Sequence, residues 1–432
     1  MQIKIALIKK YSYITFIIFV LFIIRLNIDN VKMHSVNIEK LNIAQTHLIE
    51  IRDDPEYKYF STQAIAIDQT IKKHILLAAS SDTGGKLQTF QVGDKFLAKG
   101  YYTELNEYES YLKEQHIYAK FTLEKIIQVE QGKNIIEKMS NYFRNQMLNG
   151  CGRLGIDTQG ICEGLLIGEK SHISKQTYSK YKDAQLTHLL VASGANIVFI
   201  ITFLTPILKR MKLRLKYGTM CFVAIFYCIL TRFEPSILRA TIMVCLPSIA
   251  RIRGHRLNEY KIFFASIIVC LFIDPFLIYR VGFWLSASAT GGLYFLTPKL
   301  KHIINSDLIA STLGATIAVQ PILWIAFGFN WPFKWPISVV AIAIAEPLST
   351  IGFVFTYLSS YIDTSNIFAS LFSNLMHVGC WLLNITASFG QSIISSYLGM
   401  FLTLFLIIAY NRSRGKERCA RKQEHSRFLH YR

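Results

Sequence analysis

Hydrophobic positions change their spacing twice along the chain, and each change marks a different kind of element. Between residues 34 and 132 apolar residues come in short alternating or β-branched runs broken by turn residues, the pattern of strands with one buried face. The runs predict strands at 46–52, 57–68, 73–80, 92–103 and 117–129, with Asp53-Asp54-Pro55 and Ser81-Asp82-Thr83-Gly84-Gly85 as turns. About five strands in about 100 residues predict a small closed all-β barrel of the OB type.

The period then lengthens. Ile135, Ile136, Met139, Phe143, Gln146 and Met147 recur at helical spacing, with lysine, asparagine and arginine on the other faces. Two placements satisfy this amphipathic helix: flat in the membrane interface, as a collar around a larger assembly, or packed beneath the barrel.

Beyond Leu189 the pattern becomes long apolar runs, predicting spans at 189–208, 217–231, 236–250, 262–278, 281–297, 308–327, 337–358, 365–387 and 393–410. Several are short or broken by proline and glycine, and backbone groups freed inside a bilayer need cover from protein or a water-filled cavity. One more run, 11–24, follows Lys4, Lys9 and Lys10 and precedes Arg25. No small-residue cleavage site comes after it, so it reads as a retained anchor with its N-terminus inside.

The expected fold is therefore a polytopic α-helical membrane protein of about ten spans with a small extracytoplasmic all-β OB-like domain. Its expected divisions are an anchor (1–30), the barrel (34–132), interfacial linker helices (133–188), a transmembrane domain (189–410) and a basic cytoplasmic tail (411–432).

Composition agrees: 52% of residues are hydrophobic and 17% charged, which excludes a soluble protein. The net charge of +19 invites a nucleic-acid reading. Topology reassigns most of it. With the N-terminus inside, the loops 209–216, 251–261 and 299–301 and the tail face the cytoplasm, and they carry 19 lysines and arginines against Glu259, Glu417 and Glu424. That is the positive-inside signal. The barrel region has 11 basic residues against 14 acids, so its aromatics Tyr57, Tyr59, Phe60, Tyr101 and Tyr102 do not by themselves make a groove for a polyanion.

Little catalytic chemistry is visible. No histidine pattern has zinc-ligand spacing and no G-x-x-x-x-G-K-[ST] loop occurs, so no metal or cofactor is expected. Cys151 and Cys162 are close enough in sequence for a disulfide, with two unlinked thiols as the alternative. His188, Ser193 and Asp183 lie near one another, but VASGA is not a G-x-S-x-G elbow. Ser193 and Gly194 read instead as a close helix contact, and Asn196 as a hydrogen-bonding group toward a polar path. No enzymatic activity is expected.

Ionisable or amide side chains inside spans are costly and usually face protein or water. Arg239, Asp274, Gln320 and Glu346 are the candidates of that kind, with Trp284 and Ser286 as a packing and lining pair and His188 at a span entrance.

Gly168-Glu169, His188-Leu189-Leu190-Val191-Ala192-Ser193-Gly194, Pro235-Ser236-Ile237-Leu238-Arg239-Ala240 with Met243, Asp274-Pro275, Gly282-Phe283-Trp284-Leu285-Ser286 and Gln320 follow one another along the chain. In that order these segments resemble the ComEC competence family of DNA-uptake channels. NEYESYLKEQHIYA, at 106–119, is similar to the family's barrel segment. The similarity runs over roughly residues 35–400. The chain departs from the family at Asn196, where a histidine is usual, and near Ser338, where an asparagine-containing motif is expected.

The resemblance implies a channel for single-stranded DNA in the cytoplasmic membrane. It implies partners too: a separate DNA receptor, a cytoplasmic DNA translocase or ATPase, and a separate nuclease, because no metallo-β-lactamase-like H-x-H-x-D-H segment is present. A transporter of another polyanion or cell-surface polymer precursor is the alternative, and an intramembrane serine hydrolase a less favoured one.

Overall fold

The computed structural model describes residues 44–52, 55–58, 61–71, 73–105, 112, 117, 119–130, 135–302, 304, 306–327, 334–359, 367–392, 394 and 397–402. The expected anchor, the basic tail, most of 106–118, Tyr59, Phe60 and most of the run 393–410 lie outside the described residues.

Alternation along the first strands dictates their pairing. β1 (Gln45–Ile51), β2 (Glu56–Lys58), β3 (Ser61–Asp68), β4 (Lys73–Ala79), β5 (Lys95–Glu104) and β6 (Ala119–Glu130) form one sheet in the order β1-β5-β6-β4-β3-β2. An additional β1–β3 pairing closes five of these strands into a barrel. All pairs are antiparallel except β4 with β6. Inward residues such as Ile49, Ile75, Leu77, Phe96 and Phe121 fill the interior.

Ser81–Leu87, expected as a turn, is a short helix, α1. Leu87 and the following Phe90 are buried in the barrel core, and that burial overrides the turn preference of the Ser-Asp-Thr-Gly-Gly run. Tyr102 is likewise a core residue rather than an exposed platform: it is buried, and its hydroxyl donates to Asp68. Asp68 also sits 2.6 Å from His47 Nδ1 and accepts from the Thr70 amide at 2.8 Å. A buried carboxylate is tolerable only with partners of this kind.

Helices follow: α2 (Ile135–Gly152), α3 (Ile156–Ile167), α4 (Lys175–Asp183), α5 (Gly194–Leu208), α6 (Leu213–Leu230), α7 (Pro235–Ile252) and α8 (Glu259–Ile273). After them come α9 (Val281–Phe295), α10 (Thr297–Lys301), α11 (Asp307–Phe327), α12 (Trp335–Ser359) and α13 (Ile367–Gln391). The chain falls into two compact units. One carries the sheet and reaches Asn145, together with Ala265–Arg280; the other holds Gln146–Phe264 and the helices from Val281 onward.

Each predicted apolar run from 189–208 to 365–387 overlaps a helix, but the expected 262–278 span is divided at Asp274, where α8 has ended and the 3-10 turn Pro275–Tyr279 begins. Among the described residues, four stretches are long and apolar enough to cross a membrane: Leu213–Leu230, Pro235–Ile252, Asp307–Ala326 and Pro336–Thr356. The expected 189–208 span starts later, at Gly194, because Thr187–Leu190 forms a 3-10 turn and Ser193 caps the helix. Proline interrupts α5, α7, α11 and α12 at 206, 247, 321 and 347. Small residues let helices approach closely; a Cβ on Gly292 of α9 would lie 2.2 Å from Gly314 O of α11.

Candidate functional site

Three helix ends and one helix flank meet around the segments singled out in the sequence. α3 stops at Gly168, whose φ of +75° is a left-handed C-cap, a conformation glycine adopts without the strain other residues incur. A Cβ there would stand 3.2 Å from Ala192 N, so glycine also allows the two segments to touch. Next to it, the buried Glu169 turns the chain: its Oε1 accepts from the backbone amides of Lys170 and Ser171 at 3.1 and 3.2 Å.

Ser193 begins α5. Its Oγ accepts from Ala195 N at 3.1 Å, satisfying one of the amides a helix start leaves without an intrahelical partner. Gly194 packs directly on the start of α7, where a Cβ would meet Ala240 Cβ at 2.9 Å and Ser236 O at 3.0 Å. Ser236 Oγ donates back to Ala192 O at 3.3 Å. The Gly-Glu, Ser-Gly and Pro-Ser-Ile-Leu-Arg-Ala segments are therefore one junction in space.

Asn196 and Tyr227 secure that junction from below. Asn196 is buried, and its Nδ2 donates to Leu165 O and to Tyr227 Oη, each at 2.9 Å. Tyr227 in turn donates to Leu166 O at 2.6 Å. The last carbonyls of α3 lack intrahelical donors, and α5 and α6 supply them. Asn196 acts as a fixed donor here, a role that needs no titrating imidazole.

Arg239, one turn into α7, is buried and reaches across to α9. Nη2 donates to Ser286 O at 2.7 Å, Ser286 Oγ at 2.8 Å and Thr290 Oγ1 at 2.6 Å, Nε to Ser286 Oγ at 3.2 Å, and Nη1 to Met243 Sδ at 3.0 Å. These acceptors are neutral, and they hold the guanidinium against a neighbouring helix. Ser286, expected as a lining residue, is thus Arg239's principal partner.

The remaining candidates are placed separately. His188 is exposed on the 3-10 turn. Asp274 lies before a second 3-10 turn, Pro275–Tyr279, with its amide bonded to Cys270 O. Trp284 is partly exposed and edge-on to Phe283. Gln320 is buried beside Pro321, and its Nε2 has no hydrogen-bond partner among the described groups. Glu346 is half-buried in α12, one residue before Pro347, and its carbonyl accepts from Ser349 Oγ at 2.8 Å.

Cys151 and Cys162 are free, buried thiols, and burial pushes both up in pKa. Ser193, His188 and Asp183 are not joined by a described hydrogen bond; the Asp183 carboxylate accepts from Gln391 at 3.1 Å. No group of three or more metal-ligating side chains occurs among the described residues.

Sequence reasoning passed over a buried acid next to this junction. Glu163 is fully buried in α3, with Gln159 Nε2 on Oε1 and His172 Nδ1 on Oε2, each at 2.7 Å. Burial raises its pKa above the ordinary carboxylate value, against the opposing pull of those hydrogen bonds. Tyr227 and Thr290 were equally inconspicuous: nothing in an apolar run distinguishes a hydroxyl that finds a partner on another helix.

The junction falls within a recognisable sequence family. The family model for competence proteins matches residues 165–411. "ComE operon protein 3" of Bacillus subtilis is 23% identical over 221 residues, covering 50% of this chain and 28% of that protein. "Competence protein ComA" of Neisseria gonorrhoeae is 25% identical over 210 residues, 43% of this chain and 30% of that protein. "Recombination protein 2" of Haemophilus influenzae is 26% identical over 148 residues, 32% of this chain and 19% of that protein. The matched stretch thus spans less than a third of each of these relatives. No solved structure matches the chain.

Proposed function

The chain belongs to the competence protein family, and on that basis we propose that it is a channel carrying single-stranded DNA inward across the cytoplasmic membrane. One observation carries the proposal: the family match runs from the last turn of α3 through α9, together with the apolar helices that follow. We place ten spans in this protein, with both termini in the cytoplasm and the barrel outside. Positive charge in the loops 209–216, 251–261 and 299–301 supports that orientation.

Asn196 and Arg239 hold helices together, so they shape the route rather than contact DNA. Gln320 is better suited to line it, since a buried amide whose Nε2 has no partner among the described residues is stabilised by a polar channel. Pro321 in the same helix and Pro347 in the neighbouring α12 would expose backbone groups to the same route. In this reading the protein has no catalytic centre of its own. A receptor delivers DNA, a cytoplasmic translocase draws the strand in, and a separate nuclease removes its complement.

Deletion of the chain tests the proposal. Transformation should fall to background while DNA binding at the cell surface persists, and complementation should restore it. Normal transformation in the deletion strain, or loss of a surface polymer instead, would replace DNA with another solute.

A further inference from the structure

The side of α2 that meets the barrel is its polar side. Glu137 lies 3.6 Å from Arg52 Nη1, and Asn141 Nδ2 donates to Val92 O at 2.8 Å. Ser140 and Arg144 are buried, although such side chains are ordinarily the exposed ones. The other side is apolar and largely exposed: Ile135 is 72% exposed, Ile136 and Met139 each 52%, and Tyr142 51%. Lys138 borders this stripe and is exposed as well. Near the end of β6, Ile127 and Val129 are more than half exposed.

This is the reverse of a soluble amphipathic helix, which turns its apolar stripe inward. We propose that the Ile135–Ile136–Met139–Tyr142 stripe is seated in the headgroup and acyl boundary of the bilayer, so that the barrel is held at the membrane surface by a helix it grips through polar contacts. Lipid is favoured over a protein partner by two features. The first is continuity: α2 is one unbroken helix that passes at Gln146 into the helical unit, which contains the membrane-spanning candidates. The second is chemistry. A lysine beside the stripe suits anionic headgroups, and a tyrosine suits the interface itself. The proposal is independent of which solute the channel carries.

Tryptophan placed on the stripe reports its surroundings in the full chain. The protein is reconstituted into phosphatidylethanolamine and phosphatidylglycerol vesicles with dibrominated acyl chains, and the emission of the parent's five tryptophans is subtracted. If the stripe lies at a depth of several ångströms in lipid, added emission from Met139→Trp should be quenched by bromolipid at least about threefold more than that from Gln88→Trp, an exposed barrel position. Ile136→Trp reads the same stripe should Met139→Trp fail to fold. Quenching by aqueous acrylamide instead, as at Gln88→Trp, overturns the proposal. Protection from both quenchers overturns it too, by showing that a second copy or another protein covers the stripe.

Discussion

Replacing Arg239 with alanine removes the polar link between α7 and α9, and its effect can be worked from the contacts. Three acceptor atoms described on α9 take the guanidinium: Ser286 O, Ser286 Oγ and Thr290 Oγ1. Ser286 O keeps a second donor, because Thr290 Oγ1 also bonds to it at 3.0 Å. The loss therefore falls mainly on two hydroxyls. Interhelical hydrogen bonds between membrane helices average about 0.6 kcal/mol and reach about 1.7, so Arg239→Ala should destabilise the protein by about 1–3 kcal/mol.

Reversible unfolding of Arg239→Ala, Ser286→Ala and the double variant in mixed micelles gives the coupling between the two side chains. A coupling of about 1 kcal/mol is expected; additivity within about 0.3–0.5 kcal/mol would refute the clamp. Arg239→Lys should recover less than half, because a point donor cannot reproduce the planar fork across Ser286 and Thr290. Import should decline with the folded fraction. A fully folded Arg239→Gln protein that imports nothing would instead make Arg239 a contact for the transported strand.

Asn196→Ala leaves Leu165 O and Tyr227 Oη without their donor, and unfolding should show a loss of about 1–3 kcal/mol. Gly168→Ala forces a side chain into the left-handed region; a loss of about 1–2 kcal/mol is expected, with Gly168→Asn milder, and equal stability of all three would contradict the C-cap. Glu163 gives a pH signature. Its folded pKa is raised above 4.5, so its contribution to stability is full below the unfolded value and is lost as pH rises through the folded value. Glu163→Gln should flatten stability across that window, and an unchanged slope in a pH series of unfolding curves would assign it to other groups.

Local chemistry was legible where period and turn residues act over a few positions. Strands at 73–79 and 95–104 and the helix starts near Pro235 and Asp307 fall close to their expected bounds, because alternation, proline and apolar runs are local signals. Ser193-Gly194 was legible as a close contact, since a small residue before an apolar run has few other uses. The unread parts depend on distant partners. Asn196 meets a carbonyl and a phenol 31 residues away in opposite directions along the chain, and Arg239 meets Ser286 47 residues on. The barrel's closure is likewise nonlocal, resting on the β1–β3 and parallel β4–β6 pairings. The direction of α2 could not be read from its amphipathicity, because its periodicity is the same whether the apolar stripe faces protein or lipid.

Following the label is the most direct measurement of the central claim. Cells lacking the chain, and the same cells expressing it, take up double-stranded DNA labelled on each strand in turn, and label inside the cytoplasm is separated from label bound at the surface. A DNA channel predicts equal surface binding in both strains, with one strand's label reaching the cytoplasm only when the chain is present. Equal cytoplasmic label in both strains would contradict it.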